Sequence, residues 1–215
     1  MLHIQSFIFS PIQENTYILF NEFKQCIIID PGCYFDAEKK SLEKFIQLNG
    51  LTPVMLLNTH CHLDHVFGNK FVAETYQLTL QLHEKEKLVL SYASTAGLMY
   101  NMPFDNYAGE FILLKEGDKI LLGADELKII EAPGHSPGSI CFYCKKQDFI
   151  IGGDVLFKGS IGRTDLPMGD HQTLINSITQ KLFLLPDNVV VYSGHGSKTS
   201  IGAEKIFNPF VGSQG

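Results

Sequence analysis

The chain has 215 residues, 45% of them hydrophobic and 19% charged, a composition that supports one substantial core and excludes collagenous, low-complexity and disordered classes. A formal net charge of -6 leaves no basic face of the kind that displaces counterions from a phosphate backbone, so nucleic acid is not an expected partner. Five scattered cysteines, an odd number, fit a reducing compartment better than a disulfide framework.

The opening segment M-L-H-I-Q-S-F-I-F-S-P carries no lysine or arginine before Lys24 and no small-residue cleavage site, so no signal peptide is expected. No apolar run approaches the roughly 18 residues that mark a membrane span. The expectation is a soluble cytoplasmic protein with a single domain over residues 1–215.

Strand-like runs come first, at 3–9, 16–20 and 25–29, the last closed by Asp30-Pro31-Gly32. Leu42, Phe45 and Ile46 then recur at helical spacing until Asn49-Gly50 stops the helix. A strand at 54–57 follows, then a helix over 64–77, a strand at 79–82 and a helix from Glu84. Residues 95–109, T-A-G-L-M-Y-N-M-P-F-D-N-Y-A-G, show no clean period. They read as a loop packed near a pocket, or equally as a surface loop pinned by its apolar residues.

The second half repeats this style, with strands at 111–114, 119–122, 126–130, 139–144, 149–151 and 189–192 and a helix from His171 to about Phe183. Sheet clusters in both halves with helices between them predict two facing sheets with helices outside. The segments I-I-I-D-P-G (27–32) and F-I-I-G-G-D (149–154) resemble each other and hint at an internal duplication.

Chemistry concentrates at the strand ends. After the apolar run 54–57 comes N-T-H-C-H-L-D-H, which places His60, His62, Asp64 and His65 within six positions. In an extended segment His60 and His62 point the same way while Cys61 faces the opposite side. His135, Asp154 and His195 each follow an apolar strand and sit among glycines. Imidazole with carboxylate suits zinc, iron or manganese, and the absence of thiolate argues against a closed structural zinc site.

Together T-H-C-H-L-D-H (59–65), P-G-H-S-P-G-S (133–139), G-G-D-V-L-F (152–157), S-G-H-G (193–196), E-N-T-Y and I-I-D-P-G span nearly the whole chain in order. In these motifs the chain resembles the metallo-β-lactamase-fold hydrolases, and among them the short, single-domain glyoxalase II-like (hydroxyacylglutathione hydrolase-like) members. The resemblance implies an α/β fold, a four-layer αββα sandwich. It further implies that His60, His62 and His135 bind one divalent metal and Asp64, His65 and His195 a second, with Asp154 bridging. The two metals are expected to be zinc, with iron or manganese as alternatives, and Asp64 to orient the attacking hydroxide as well as hold a metal. The substrate implied is a small-molecule thioester, whose thiolate leaves without a strong general acid.

Asp30 is expected to support a histidine ligand from behind or to close its turn. Full-length glyoxalase II enzymes carry a C-terminal helical extension, and the expectation here is that it is absent, because the sequence ends about twenty residues after His195. The segment F-K-G-S-I-G-R-T-D-L-P-M-G-D (157–170) resembles a loop of the short members and of the related persulfide dioxygenases, and it holds the only arginine of the chain. Arg163 is expected either to grip a substrate carboxylate or to brace this loop through Asp165. The alternative activities are a persulfide dioxygenase, with one iron on His60, His135 and Asp154, and another ester or lactone hydrolase of the same fold. Cys141 and Cys144 sit three apart in a strand pattern, which favours core packing, and Tyr17 is expected in the core. His3, His83 and His171 have no ligand context.

Overall fold

The computed structural model describes residues 1–213. The first sheet is built from β1 (His3–Phe9), β2 (Glu14–Phe20), β3 (Gln25–Ile29), β4 (Thr52–Leu57), β5 (Leu80–His83) and β6 (Phe111–Leu114), in that spatial order. Helices α1 (Asp36–Leu48), α2 (Leu63–Val66), α3 (Asn69–Tyr76) and α4 (Glu86–Met99) fill its connections. The second half supplies β7 (Lys119–Leu122), β8 (Asp125–Glu131), β9 (Ile140–Cys144), β10 (Phe149–Gly153), the small hairpin β11 (Leu156–Phe157) and β12 (Ser160–Ile161), and α5 (His171–Gln180). It ends with β13 (Val190–Ser193), β14 (Thr199–Ser200) and α6 (Ile201–Phe207). The second sheet runs β14-β13-β10-β9-β8-β7.

Three apolar layers separate the four structural ones. Ile27, Ile29 and Leu57 of the first sheet meet Ile129, Phe142 and Ile151 of the second across the centre. Ile28, Leu56 and Leu82 face the other way, onto Leu42, Val72 and Leu90 of the helices. Cys141, Ile150 and Val191 do the same toward Leu174 and Ile178 of α5. Alternation along each strand therefore makes both faces of both sheets apolar, and the result is the αββα sandwich. Cys144 lies in the central layer and Cys141 in an outer one, the opposed placement expected of strand positions three apart. All five cysteines are buried free thiols.

Topology decides where the chemistry emerges. In the first sheet β3 and β4 are parallel, so the segments after Ile29 and Leu57 leave at one end. In the second, β8 is antiparallel to β9, β9 to β10, and β10 is parallel to β13, so β8, β10 and β13 share a direction. Their following turns, which carry His135, Asp154 and His195, also leave at one end. The similar segments of β3 and β10 occupy comparable positions, each with one antiparallel and one parallel neighbour.

Two expectations need correction. The helix expected over 64–77 is broken into α2 and α3, because Gly68 packs directly on the turn after β3 and donates its N–H to the Pro31 carbonyl at 2.7 Å. A Cβ at Gly68 would collide with Cys33 Sγ. The loop expected from Thr95 begins only after Met99, since α4 continues through 95–99. Its periodicity is hidden because it is apolar on two faces: Val89, Leu90 and Ala93 face the core, while Leu88, Tyr92 and Met99 are exposed. Among the described residues no helix is long and apolar enough to cross a membrane.

Candidate metal centre

The turn after β4 places His60, His62, Asp64 and His65 against His135, Asp154 and His195 from the second sheet. His135 Nε2 lies 3.2 Å from His60 Nε2 and 2.8 Å from His62 Nδ1, so three imidazoles converge on one point. Beside them His195 Nε2 is 3.0 Å from Asp64 Oδ2, and His65 Nε2 is 3.7 Å from the same oxygen. Asp154 lies between the groups: its Oδ1 is 3.4 Å from His65 Nε2, while its Oδ2 is 3.6 Å from His135 Nε2 and 3.5 Å from His195 Nε2. The structure thus gathers all seven residues in one place.

Four of these rings are held from behind by their outer nitrogens. Asp30 Oδ2 lies 3.1 Å from His65 Nδ1, the Arg163 carbonyl 2.7 Å from His135 Nδ1, and the Gln13 carbonyl 3.1 Å from His195 Nδ1. Thr59 Oγ1 is 3.1 Å from His60 Nδ1 and itself donates to Asp30 Oδ2 at 2.5 Å. Acceptors at Nδ1 fix a tautomer whose Nε2 lone pair faces inward. Asp30 also accepts from Thr59 N–H at 2.7 Å and Asn58 Nδ2 at 3.1 Å, so its carboxylate is consumed in bracing the β4 turn and His65.

The electrostatics divide the rings. Burial, reinforced by the neighbouring imidazoles, pulls His60 well below its ordinary value and His62 down to about 3, and burial also lowers His135. These rings are neutral at pH 7, the form that donates a lone pair. Burial pushes His65 and His195 in the same direction, but for these two the Asp154 and Asp64 carboxylates outweigh it and raise both. The reciprocal attraction of His65 overcomes burial at Asp154 and Asp64 and keeps both carboxyls below their usual range.

A fit to divalent cations is visible in what the protein leaves unsatisfied. Buried His65 Nε2 and Asp154 Oδ1 have no hydrogen-bond partner, and both are aimed into the cluster. Such orphaned buried groups are costly, and a cation placed among them removes the cost. Gly194 keeps the space open, since a Cβ there would collide with Asp154 Oδ1 and His65 Cε1. Three groups of histidine and acidic side chains meet the spacing for an ion: His60, His62 and His135; Asp64, His65 and His195; and Asp30, His60 and His65. In the third, Asp30 is already engaged with His65 Nδ1, Thr59 and Asn58.

Arg163 and Asp165 lie beside this cluster without joining it. The guanidinium Nε and Nη2 donate to Asp165 Oδ1 and Oδ2, each at 2.7 Å, a fork on the surface of the 157–170 loop. What reaches the centre from Arg163 is its backbone carbonyl, the acceptor for His135.

Among the supporting residues Glu86 carries no signal in the sequence, whereas Glu14, Asn15 and Tyr17 stand in the E-N-T-Y motif. Glu86 reads as part of a solvated run, E-K-E-K, yet it is fully buried. It accepts from Cys61 N–H, Ser136 Oγ and Gly138 N–H, each at 2.7 Å, and so ties the turn bearing His60 and His62 to the turn bearing His135. Glu14 is equally buried, and burial raises its carboxyl well above the usual range. Tyr17, a core residue, donates its hydroxyl to the Ser193 carbonyl at 2.6 Å and Asn15 Nδ2 to the Ser193 and Gly196 carbonyls at 3.0 and 2.9 Å. Strand β2 thereby anchors the turn bearing His195. His3 stacks on Phe20, His83 lies 3.2 Å from Glu131 and His171 opens α5, all apart from the cluster.

Comparison with known proteins agrees with this geometry. The sequence pattern of the metallo-β-lactamase superfamily matches residues 10–195. A probable metallo-hydrolase of Bacillus subtilis, YqgX, is 41% identical over 202 residues, covering 94% of this chain and 93% of that protein. The hydroxyacylglutathione hydrolase GloC of Haemophilus influenzae is 36% identical over 204 residues, covering 94% of each. The crystal structure of TTHA1623 in a di-iron-bound form superposes with a TM-score of 0.87 at 33% identity, over 96% of this chain and 99% of that one. With its sandwich, its strand-end histidines and these relatives in agreement, the chain belongs to the metallo-β-lactamase superfamily of metal-dependent hydrolases.

Proposed function

We propose that the chain is a two-metal hydrolase that cleaves thioesters of the hydroxyacylglutathione type. The observation that carries this reading is Asp154, whose two oxygens face histidines of both three-residue groups. In this reading His60, His62 and His135 would hold one ion and Asp64, His65 and His195 the other, with Asp154 available to both groups. A pair of bound divalent cations, zinc or iron, supplies a water acidified toward neutral pH and polarises a carbonyl oxygen.

The protein's own part is placement. The neutral His60, His62 and His135 offer lone pairs without first losing a proton, and Asp30, Thr59, Gln13 and the Arg163 carbonyl keep the rings from turning away. Asp64 lines the cleft beside His195 and is positioned to orient the nucleophilic water as well as to hold a metal. Water oxygen bonds to the acyl carbon, the C–S bond breaks with its electron pair going to sulfur, and the products are a carboxylate and a thiol. A thiolate is a good leaving group, so the step does not depend on a dedicated general acid.

The similarity to a hydroxyacylglutathione hydrolase supports the thioester, and the similarity to a di-iron protein supports a second metal. A one-iron dioxygenase would use His60, His135 and Asp154 and leave Asp64, His65 and His195 without a task. The metal-loaded protein is expected to release free thiol from a lactoyl thioester of glutathione, followed with a thiol reagent. Hydrolysis of simple esters or lactones with no thiol released from any thioester would contradict the proposal.

A further inference from the structure

The metal centre lies at the floor of a cleft of about 1290 Å³, larger than the roughly 300–1,000 Å³ of common small-molecule sites and far larger than a lactoyl group requires. One wall is the second apolar face of α4, where Leu88, Tyr92, Ala96 and Met99 fall at i, i+4, i+8 and i+11 along one side of the helix. Phe157, Leu166, Pro167 and Met168 of the 157–170 loop contribute a second apolar part of the lining. Tyr92 is 59% exposed and Met99 81%, an apolar surface of a kind that marks a binding site when it is contiguous. This patch is continuous with His62, Asp64, His135, Asp154 and His195, which line the same cleft.

Charge in the cleft argues against an anionic occupant along these walls. The cations in the lining are Lys158 and Arg163, and both charged edges of the Arg163 fork that meet Asp165 are already satisfied. The lining contributed by α4 and by residues 166–168 carries no charged side chain, so a hydrocarbon chain displaces water along it.

We infer that the preferred substrate is a thioester with an extended apolar acyl chain, its carbonyl at the metal centre and its chain lying between α4 and the 166–168 segment. This rests on the thioester reading above, keeps its thiol partner, and extends its acyl group from a short hydroxyacyl to a longer apolar chain. The reaction is the same hydrolysis: the acyl carbon gains the water oxygen, the C–S bond breaks, and a fatty carboxylate and a thiol leave.

The test uses the metal-loaded full chain with acetyl to octanoyl thioesters of N-acetylcysteamine, and in parallel the calorimetric affinity of the free carboxylates from acetate to octanoate. The expected result is kcat/KM rising by up to about fourfold per added methylene, with affinity rising in step. Tyr92→Glu and Met168→Glu, both at exposed positions, are each expected to reduce the octanoyl-to-acetyl ratio by about tenfold or more. Thioester hydrolysis with no dependence on chain length in either measurement would overturn the apolar-chain inference and leave the thioester reading standing. Absence of hydrolysis on every thioester, with carboxylate affinity still rising with length, would sustain the apolar wall and overturn the thioester reading instead. Flat affinity without hydrolysis would overturn both.

Discussion

Asp154→Ala is expected to remove hydrolytic turnover, by about a thousandfold or more, while the metal-free chain retains its fold. Asp154 follows β10 with its two oxygens facing His65, His135 and His195, so under the proposed function its loss deprives both groups of a shared negative ligand. It contributes nothing to the apolar layers, which are complete without it. The comparison belongs to metal-free protein, because metal binding and folding are linked and a weaker site lowers the apparent stability of the loaded form. Circular dichroism of the metal-free variant and thiol release after metal loading decide it. Undiminished turnover would remove Asp154 from the metal centre. Asp154→Asn, which preserves the volume, checks that any loss comes from the charge and not from a void.

Glu86→Ala is expected to be the most destabilising change outside the apolar core. The substitution orphans two buried N–H groups and one hydroxyl. At roughly 1–3 kcal/mol for each unsatisfied group, the loss is about 3 kcal/mol or more, a fall in the melting midpoint on the order of 10 °C for a chain of this size. Because the three donors belong to the turns holding His60, His62 and His135, activity is expected to fall by about 10–100-fold as well. Glu86→Gln should recover only part of this, since its NH2 group turns a donor toward a donor. Thermal melts and kcat of the three proteins measure both effects. A variant that melts with the wild type would show that the two turns hold their positions without this carboxylate.

The sequence displayed the residues gathered at the candidate metal centre and Asp30 behind them, but concealed Glu86, which ties their turns together. Histidines after apolar strands are rare enough to be conspicuous, and the glycines beside His135, Asp154 and His195 point to tight turns. Glu86 offers no such signal, because a glutamate in a lysine-rich run looks like every solvated glutamate until the turn at 136–138 folds over it. The end of α4, residues 95–99, was obscured for a different reason: a helix that is apolar toward both the core and the cleft loses the one-sided pattern by which amphipathic helices are recognised. The break at Gly68 is likewise a tertiary effect, set by the close approach of the Pro31 turn. Strand directions, which bring five separate turns to one place, became evident only from pairing.

The proposed function stands on one site binding two cations. Titrating the metal-free protein with zinc or ferrous ion under anaerobic conditions, and measuring bound metal per chain after removal of the excess, addresses it most directly. A plateau at about two ions per chain is expected. A plateau at one ion under metal-replete conditions, together with oxygen uptake on a glutathione persulfide once air is admitted to the iron-loaded protein, would contradict it.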